Sequence, residues 1–133
     1  MNAITPSAKN HAGLAGLDSR FVAVADIPWE QTRFPGVEIK VLIEDKSTGL
    51  LTTLLKMAPG ARLPDHEHVE IEQTYVMEGR LVCAEGECTA GNFVWRPAGS
   101  RHEAHTPDGG LMIAFFIRPN VFFDQDPDGE SFR

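Results

Sequence analysis

Residues 60–79 read GARLPDHEHVEIEQTYVMEG, and the threading of this stretch decides the fold. Glycines open and close it. Between them stand His66 and His68, one residue apart, and Glu72 four further on. In an extended chain alternate side chains point the same way, so His66 and His68 share a face. Continued extension through VEIE adds Glu70 and Glu72 to that face. Glu72 begins the run EQTYVMEG, so a strand can hold its carboxylate. A second stretch, GNFVWRPAGSRHEAH at residues 91–105, supplies His102 just after a Pro-x-Gly turn. A neighbouring strand would bring His102 to the first two histidines.

The flanks support an extended chain. RFVAVA, VEIKVLIED, GLLTTLLKM, QTYVMEGRLVCA, GNFVWRP and LMIAFFIRP are short runs rich in β-branched, aromatic and leucine residues. Gly, Pro and Asp punctuate them at roughly ten-residue intervals, the pattern of an all-β sandwich or barrel. In VEIKVLIED, Val37, Ile39, Val41 and Ile43 fall on one face, with Glu38 and Lys40 on the other. The leucine spacing of GLLTTLLKM also suits a helix, but Gly49 and Pro59-Gly60 favour a strand. Residues 1–20 are rich in Ala, Gly, Ser and Asn and read as a flexible N-terminal arm, with His11 solvated. Residues 21–133 form the barrel domain.

Composition narrows the function classes. The chain has 133 residues, enough for one domain with a real core. Apolar residues make up 42% and the net charge is −7. An acidic chain does not read as a nucleic-acid binder, which calls for a clustered basic face. No run approaches the ~20 apolar residues of a membrane helix, so no membrane is expected. The N-terminus has no apolar signal segment, which points to the cytoplasm. The tail DQDPDGESFR reads as a solvated terminus. Cys83 and Cys88 flank AEGE, which reads as a hairpin around Glu85-Gly86 with the thiols facing each other. A reducing compartment keeps them as free thiols.

Three imidazoles and a carboxylate form a mixed nitrogen and oxygen donor set. It suits iron, manganese, nickel, copper or zinc, and suits calcium or magnesium poorly. Neutral imidazoles with one carboxylate leave a divalent site at net +1, which would draw an enolate or carboxylate. Glu67 and Glu70 read as surface carboxylates, Glu70 being the alternative to Glu72. His105 falls on the strand face opposite His102, at the surface or behind a ligand. Thr74 and Val76 share the face of Glu72 in a regular strand, and either Phe115 or Phe116 faces inward. Arg62, Trp95, Arg96 and Arg101 are candidates for the rim.

The two stretches resemble the paired motifs of the cupin superfamily. The first, G-x5-H-x-H-x3-E-x6-G, is met by Gly60, His66, His68, Glu72 and Gly79. The second, G-x5-P-x-G-x2-H-x3-N, is met by Gly91, Pro97, Gly99 and His102, with Thr106 in place of the final Asn. Nine matched positions arise by chance with a frequency roughly below one in a million. The resemblance implies a double-stranded β-helix, the jelly-roll barrel of two antiparallel sheets. It implies one metal ion bound by His66, His68, Glu72 and His102. Iron(II) is the favoured ion, with zinc, manganese or nickel as alternatives.

The flanking runs are similar to small bacterial cupins of two groups. One group contains dioxygenases that cleave β-diketones or hydroxyaryl ketones. The other is the cupin domain of zinc-dependent anti-sigma factors, whose His/Cys-rich helical domain this sequence lacks. The resemblance favours a mononuclear dioxygenase acting on a small diketone or hydroxyketone, with Glu72 as ligand or as proton acceptor. The alternatives are an isomerase or decarboxylase on the same metal, or a non-catalytic metal-dependent sensor. A homodimer is expected, by exchange of an edge strand or by packing sheet on sheet, with FVAVADIPW as the candidate segment. Metal binding is expected to weaken as pH falls toward the imidazole range.

Overall fold

A computed structural model describes residues 2–123 of the chain; the acidic tail read above lies outside them. Ten strands follow one another: β1 (Glu30–Gln31), β2 (Val37–Asp45), β3 (Leu50–Met57), β4 (Ala61–Glu67), β5 (Glu72–Cys83), β6 (Gly86–Thr89), β7 (Phe93–Arg96), β8 (Arg101–Thr106), β9 (Gly110–Phe116) and β10 (Val121–Phe122). All pairings are antiparallel. The first half of β5 lies in one sheet, beside β9 and β7; its second half pairs with β6 and β8 in the other. This long strand bends the two sheets into the cupin half-barrel. Among the described residues no helix is long and apolar enough to cross a membrane.

The inner face of the first sheet is a set of aligned rows. Ile39, Leu55, Met112 and Val76 form one row, and Val41, Thr53, Ala114 and Thr74 the next. All eight are buried, because a strand presents every second side chain to the core. Each large apolar member stabilises the fold by roughly 1.5–3 kcal/mol through burial. The following row is Leu51, Phe116 and Glu72, so the apolar ladder runs directly up to a carboxylate.

Bulges reset the alternation in three places, and the plain period-2 reading misses each one. In β2 the register shifts between Val41 and Ile43. Ile43 therefore pairs with Thr52 on the outer face, not beside Val37, Ile39 and Val41. In β5 Met77 is the extra residue between Val76 and Glu78. In β4 the shift lies between Leu63 and His66.

Two further expectations are corrected. Residues Val24–Asp26 form a single 3-10 turn, so RFVAVA is not a strand and FVAVADIPW offers no pairing edge. Pro28 removes one ladder donor there, and Lys40 Nζ donates to the Val24 carbonyl at 2.8 Å, which fixes the segment across β2. In the β5–β6 hairpin Cys83 pairs with Gly86 and Leu81 with Cys88, so the two-residue turn is Ala84-Glu85. That register keeps the thiols from facing each other, and both are free. At the N-terminus Ile4 exchanges backbone hydrogen bonds with Glu44 at 2.8 Å each way.

Candidate metal centre

His66 reaches the interior because of a bulge. It lies three residues after buried Leu63, and a regular strand would put the two on opposite faces. The extra residue at Pro64-Asp65 restores the parity, leaving His66 directly opposite His102 of β8. Pro64 suits a bulge because no ladder donor is lost there. Its carbonyl accepts a hydrogen bond from His66 Nδ1 at 2.8 Å, which leaves Nε2 free as a donor of electrons.

His68 follows the end of β4 and is held by backbone pairing. Its N–H donates to the Ser100 carbonyl at 2.9 Å, and its own carbonyl accepts from Gly99 at 2.7 Å. The ring Nδ1 lies 3.1 Å from the Ser100 carbonyl and 2.9 Å from Ser100 Oγ. Ser100 Oγ gives its proton to the Pro97 carbonyl at 2.7 Å. Both neighbours of Nδ1 are therefore acceptors, and Nδ1 carries the proton.

The three imidazoles converge. Their ring centroids are 4.7 to 4.9 Å apart and nearly edge-on to one another. One nitrogen of each lies within 4.8 Å of the others. His66 and His68 are buried, and the His102 side chain is 8% exposed. Burial pulls His66 below its ordinary value, despite the hydrogen bond to Pro64. Burial, then the nearby charge of Arg96, drives His102 down to about 3. These two rings are thus presented in the neutral form a metal needs.

Glu72 sits beside them at the start of β5. Thr74 Oγ1 donates to its Oε1 at 3.1 Å, and Asn120 Nδ2 donates to its Oε2 at 3.0 Å. Burial pushes this carboxyl up, and the hydrogen bond from Asn120 pulls it down. Oε2 also lies 2.9 Å from His68 Nε2. The geometry there is not that of a hydrogen bond, and Nε2 has no hydrogen-bond partner among the described residues. With Nδ1 protonated, two electron-pair donors face each other at contact distance. A cation shared by the two would relieve that contact. Two more imidazoles at the same point make a divalent transition metal the group that fits.

Other sequence candidates divide sharply. Thr74 faces inward but serves Glu72, and Val76 is core. Phe116 lines the void beside the imidazoles while Phe115 lies on the outer face. Arg62 pairs with Glu103, and Arg101 pairs with Asp65 at 2.8 Å and stacks on Phe123. Trp95 is exposed on the outer face. His105 lies on the face opposite His102, against a surface cleft shared with Cys83 and Glu85. Glu67 and Glu70 are not in the cluster, and Glu72 stands just outside the mutual 4.8 Å group of the three imidazoles, touching it at His68 Nε2. Cys83, Glu85 and His102 form a second group of donor atoms within 4.8 Å, on another side of His102. Sequence reasoning did not find Asn120 or Ser100, since short motifs carry no signal for a hydrogen-bond partner on a distant strand or loop.

The ChrR Cupin-like domain family matches residues 18–120. The chain belongs to the ChrR-like cupin family. No curated protein matches it. Among solved structures it is similar to a putative acetylacetone dioxygenase from Methylibium petroleiphilum PM1, at 19% identity over 90% of each chain and a TM-score of 0.75. It is also similar to a cupin-like protein of unknown function from Ralstonia eutropha JMP134, at 32% identity over 68% of this chain and 60% of that one, with a TM-score of 0.63. The anti-sigma factor ChrR of Rhodobacter sphaeroides, in complex with SigE, matches at 21% identity over 70% of this chain and 51% of that one, with a TM-score of 0.61.

Proposed function

We propose that this cupin is a mononuclear metal-dependent dioxygenase acting on a small substrate with a 1,3-dicarbonyl or hydroxyketone unit. His66, His68, His102 and Glu72 hold one divalent ion, with iron(II) favoured. The observation that carries the reading is the bare contact between His68 Nε2 and Glu72 Oε2 at 2.9 Å, beside two more buried imidazoles. When bound, the ion supplies Lewis acidity to a chelating dicarbonyl and, as iron(II), the redox capacity that dioxygen chemistry needs.

The chain's own residues prepare the site. Pro64 and Ser100 fix the His66 and His68 rings through Nδ1. Thr74 and Asn120 hold both oxygens of Glu72 in place. Held at both oxygens by donors, Glu72 has a fixed orientation and lone pairs left over for an ion, which favours it as a ligand over a general base. Leu55, Leu63, Met112 and Phe116 line the other side and keep bulk water away. The similarity to the structure of a putative acetylacetone dioxygenase supports the reaction class.

A second reading, a non-catalytic metal-dependent module, is favoured by the ChrR family match. One experiment separates the two. Protein loaded with iron(II) should consume oxygen in step with loss of a small 1,3-diketone. Full metal loading with no oxygen uptake on any diketone or hydroxyketone tested would favour the module. Turnover without oxygen would overturn the dioxygenase.

A further inference from the structure

Arg96 ends β7 directly opposite Glu72, and the pairing turns both side chains inward. Its residue exposure is 9%, so a guanidinium is buried beside the imidazoles. A buried guanidinium has five N–H donors to satisfy. Among the described residues it makes one hydrogen bond, a weak one from Nη1 to Cys83 Sγ at 3.6 Å. Its nearest carboxylate is Glu85 Oε1 at 3.7 Å, beyond hydrogen-bond reach. Glu85 is 76% exposed, so water screens that charge. Its remaining N–H groups are not sealed in the core but border the open cleft, where a ligand can meet them.

The cavities show where that ligand would lie. The void against the imidazoles and Glu72 is about 20 Å³, little more than one water. A cleft of about 320 Å³ lies on the far side of Arg96. Leu81 and Arg96 are the lining residues common to both. A substrate that reaches the metal centre from the cleft must pass the guanidinium.

We propose that Arg96 is a substrate-recognition residue that binds a carboxylate, so that the substrate is a carboxylate-bearing 1,3-dicarbonyl or hydroxyketone and not a neutral diketone. This inference rests on the metal reading above and narrows its substrate class. A planar guanidinium matches a carboxylate with two parallel hydrogen bonds. Charge agrees as well. A divalent ion with Glu72 carries +1, and Arg96 adds another. A dianion, one enolate and one carboxylate, neutralises the pair.

The test is binding to cobalt(II)-loaded protein without oxygen, read by the visible spectrum and by calorimetry. The probes are pentane-2,4-dione and 2,4-dioxopentanoate, which share the chelating unit and differ by a methyl against a carboxylate. The wild type should bind 2,4-dioxopentanoate at least ten-fold more tightly. Arg96→Met should cut that preference below three-fold, and Arg96→Lys should leave an intermediate value. Cobalt stoichiometry of each variant shows that the centre is intact. Equal binding of the two probes by the wild type, binding of neither, or a preference that survives Arg96→Met would overturn the proposal. Cobalt uptake reports on the metal centre separately, and oxygen consumption on the dioxygenase reading, so each can fail alone.

Discussion

At the scale of single residues, the site depends on imidazoles kept neutral by burial. Replacing one removes one of three converging donors. His66→Ala or His102→Ala should lower metal content from about one equivalent to below one tenth, read by elemental analysis after dialysis; near-full retention would remove that histidine from the set. The pH behaviour follows from the depressed values of His66 and His102. Free imidazole titrates near 6.5, and the sequence alone places metal loss near that value. Burial moves proton competition at His66 and His102 down, so the midpoint of metal loss should lie below 6.5, and a midpoint at or above 6.5 would contradict it. The metal-free fold carries the opposite cost. Below about 6.5 the unfolded chain takes up protons on these rings. The folded chain resists, His102 down to about 3. The unfolded state therefore binds more protons, and stability falls with pH across that window. Thermal unfolding of the metal-free protein between pH 7.5 and 4 should show the decline, and His102→Gln should flatten it.

At the scale of elements, bulges and one glycine contact set the geometry. Gly79 has a φ of 72°, and a Cβ there would meet the Gly109 carbonyl oxygen at 2.0 Å. Gly99 has a φ of 85° but open space around it. These two of the four motif glycines are thus required for different reasons. Gly99→Ala should cost about 1–2 kcal/mol, the left-handed backbone penalty alone. Gly79→Ala adds a backbone clash and should cost at least about 3 kcal/mol. Chemical denaturation of both variants checks the order, and equal costs would contradict the contact. The three bulges were not legible beforehand. A period-2 pattern fixes parity only within a regular stretch, and a bulge is set by how the partner strand pairs. His66 shows the consequence most clearly, since its inward direction relative to Leu63 depends on the extra residue at Pro64-Asp65.

At the scale of the molecule, the outer face of the first sheet is covered over β2 and β3, where Lys40, Thr52 and Leu54 are buried, and exposed over β5, β7 and the end of β9. Tyr75, Phe93, Trp95, Phe115 and Ile117 are 39% to 56% exposed. Strand pairing sets Phe93 beside Tyr75, and Trp95 and Phe115 on either side of Gln73. An apolar patch of this kind marks an interaction surface. We propose a second copy of the chain as its occupant, packed sheet on sheet, in place of the edge once assigned to FVAVADIPW. With ~100 Å² from each such side chain, the patch supplies most of the ~800 Å² per partner of a standard interface. Sedimentation should give a dimer at micromolar concentration, and Trp95→Glu with Phe115→Glu should give a folded monomer. A wild-type monomer at those concentrations would remove the proposal.

The sequence by itself determined the strand-rich chain, the cupin motifs and the three histidines that meet. Those depend on alternation and fixed spacing, which are local. It could not say that Phe116 rather than Phe115 faces inward, that Asn120 and Ser100 hold the site, or that Arg96 alone of four rim candidates lines the void beside the imidazoles. Each of those depends on which strand lies opposite and in which register, and register is decided only when the sheets close. The tertiary structure settled them because burial in a shared interior, not proximity along the chain, determines which polar groups must find one another.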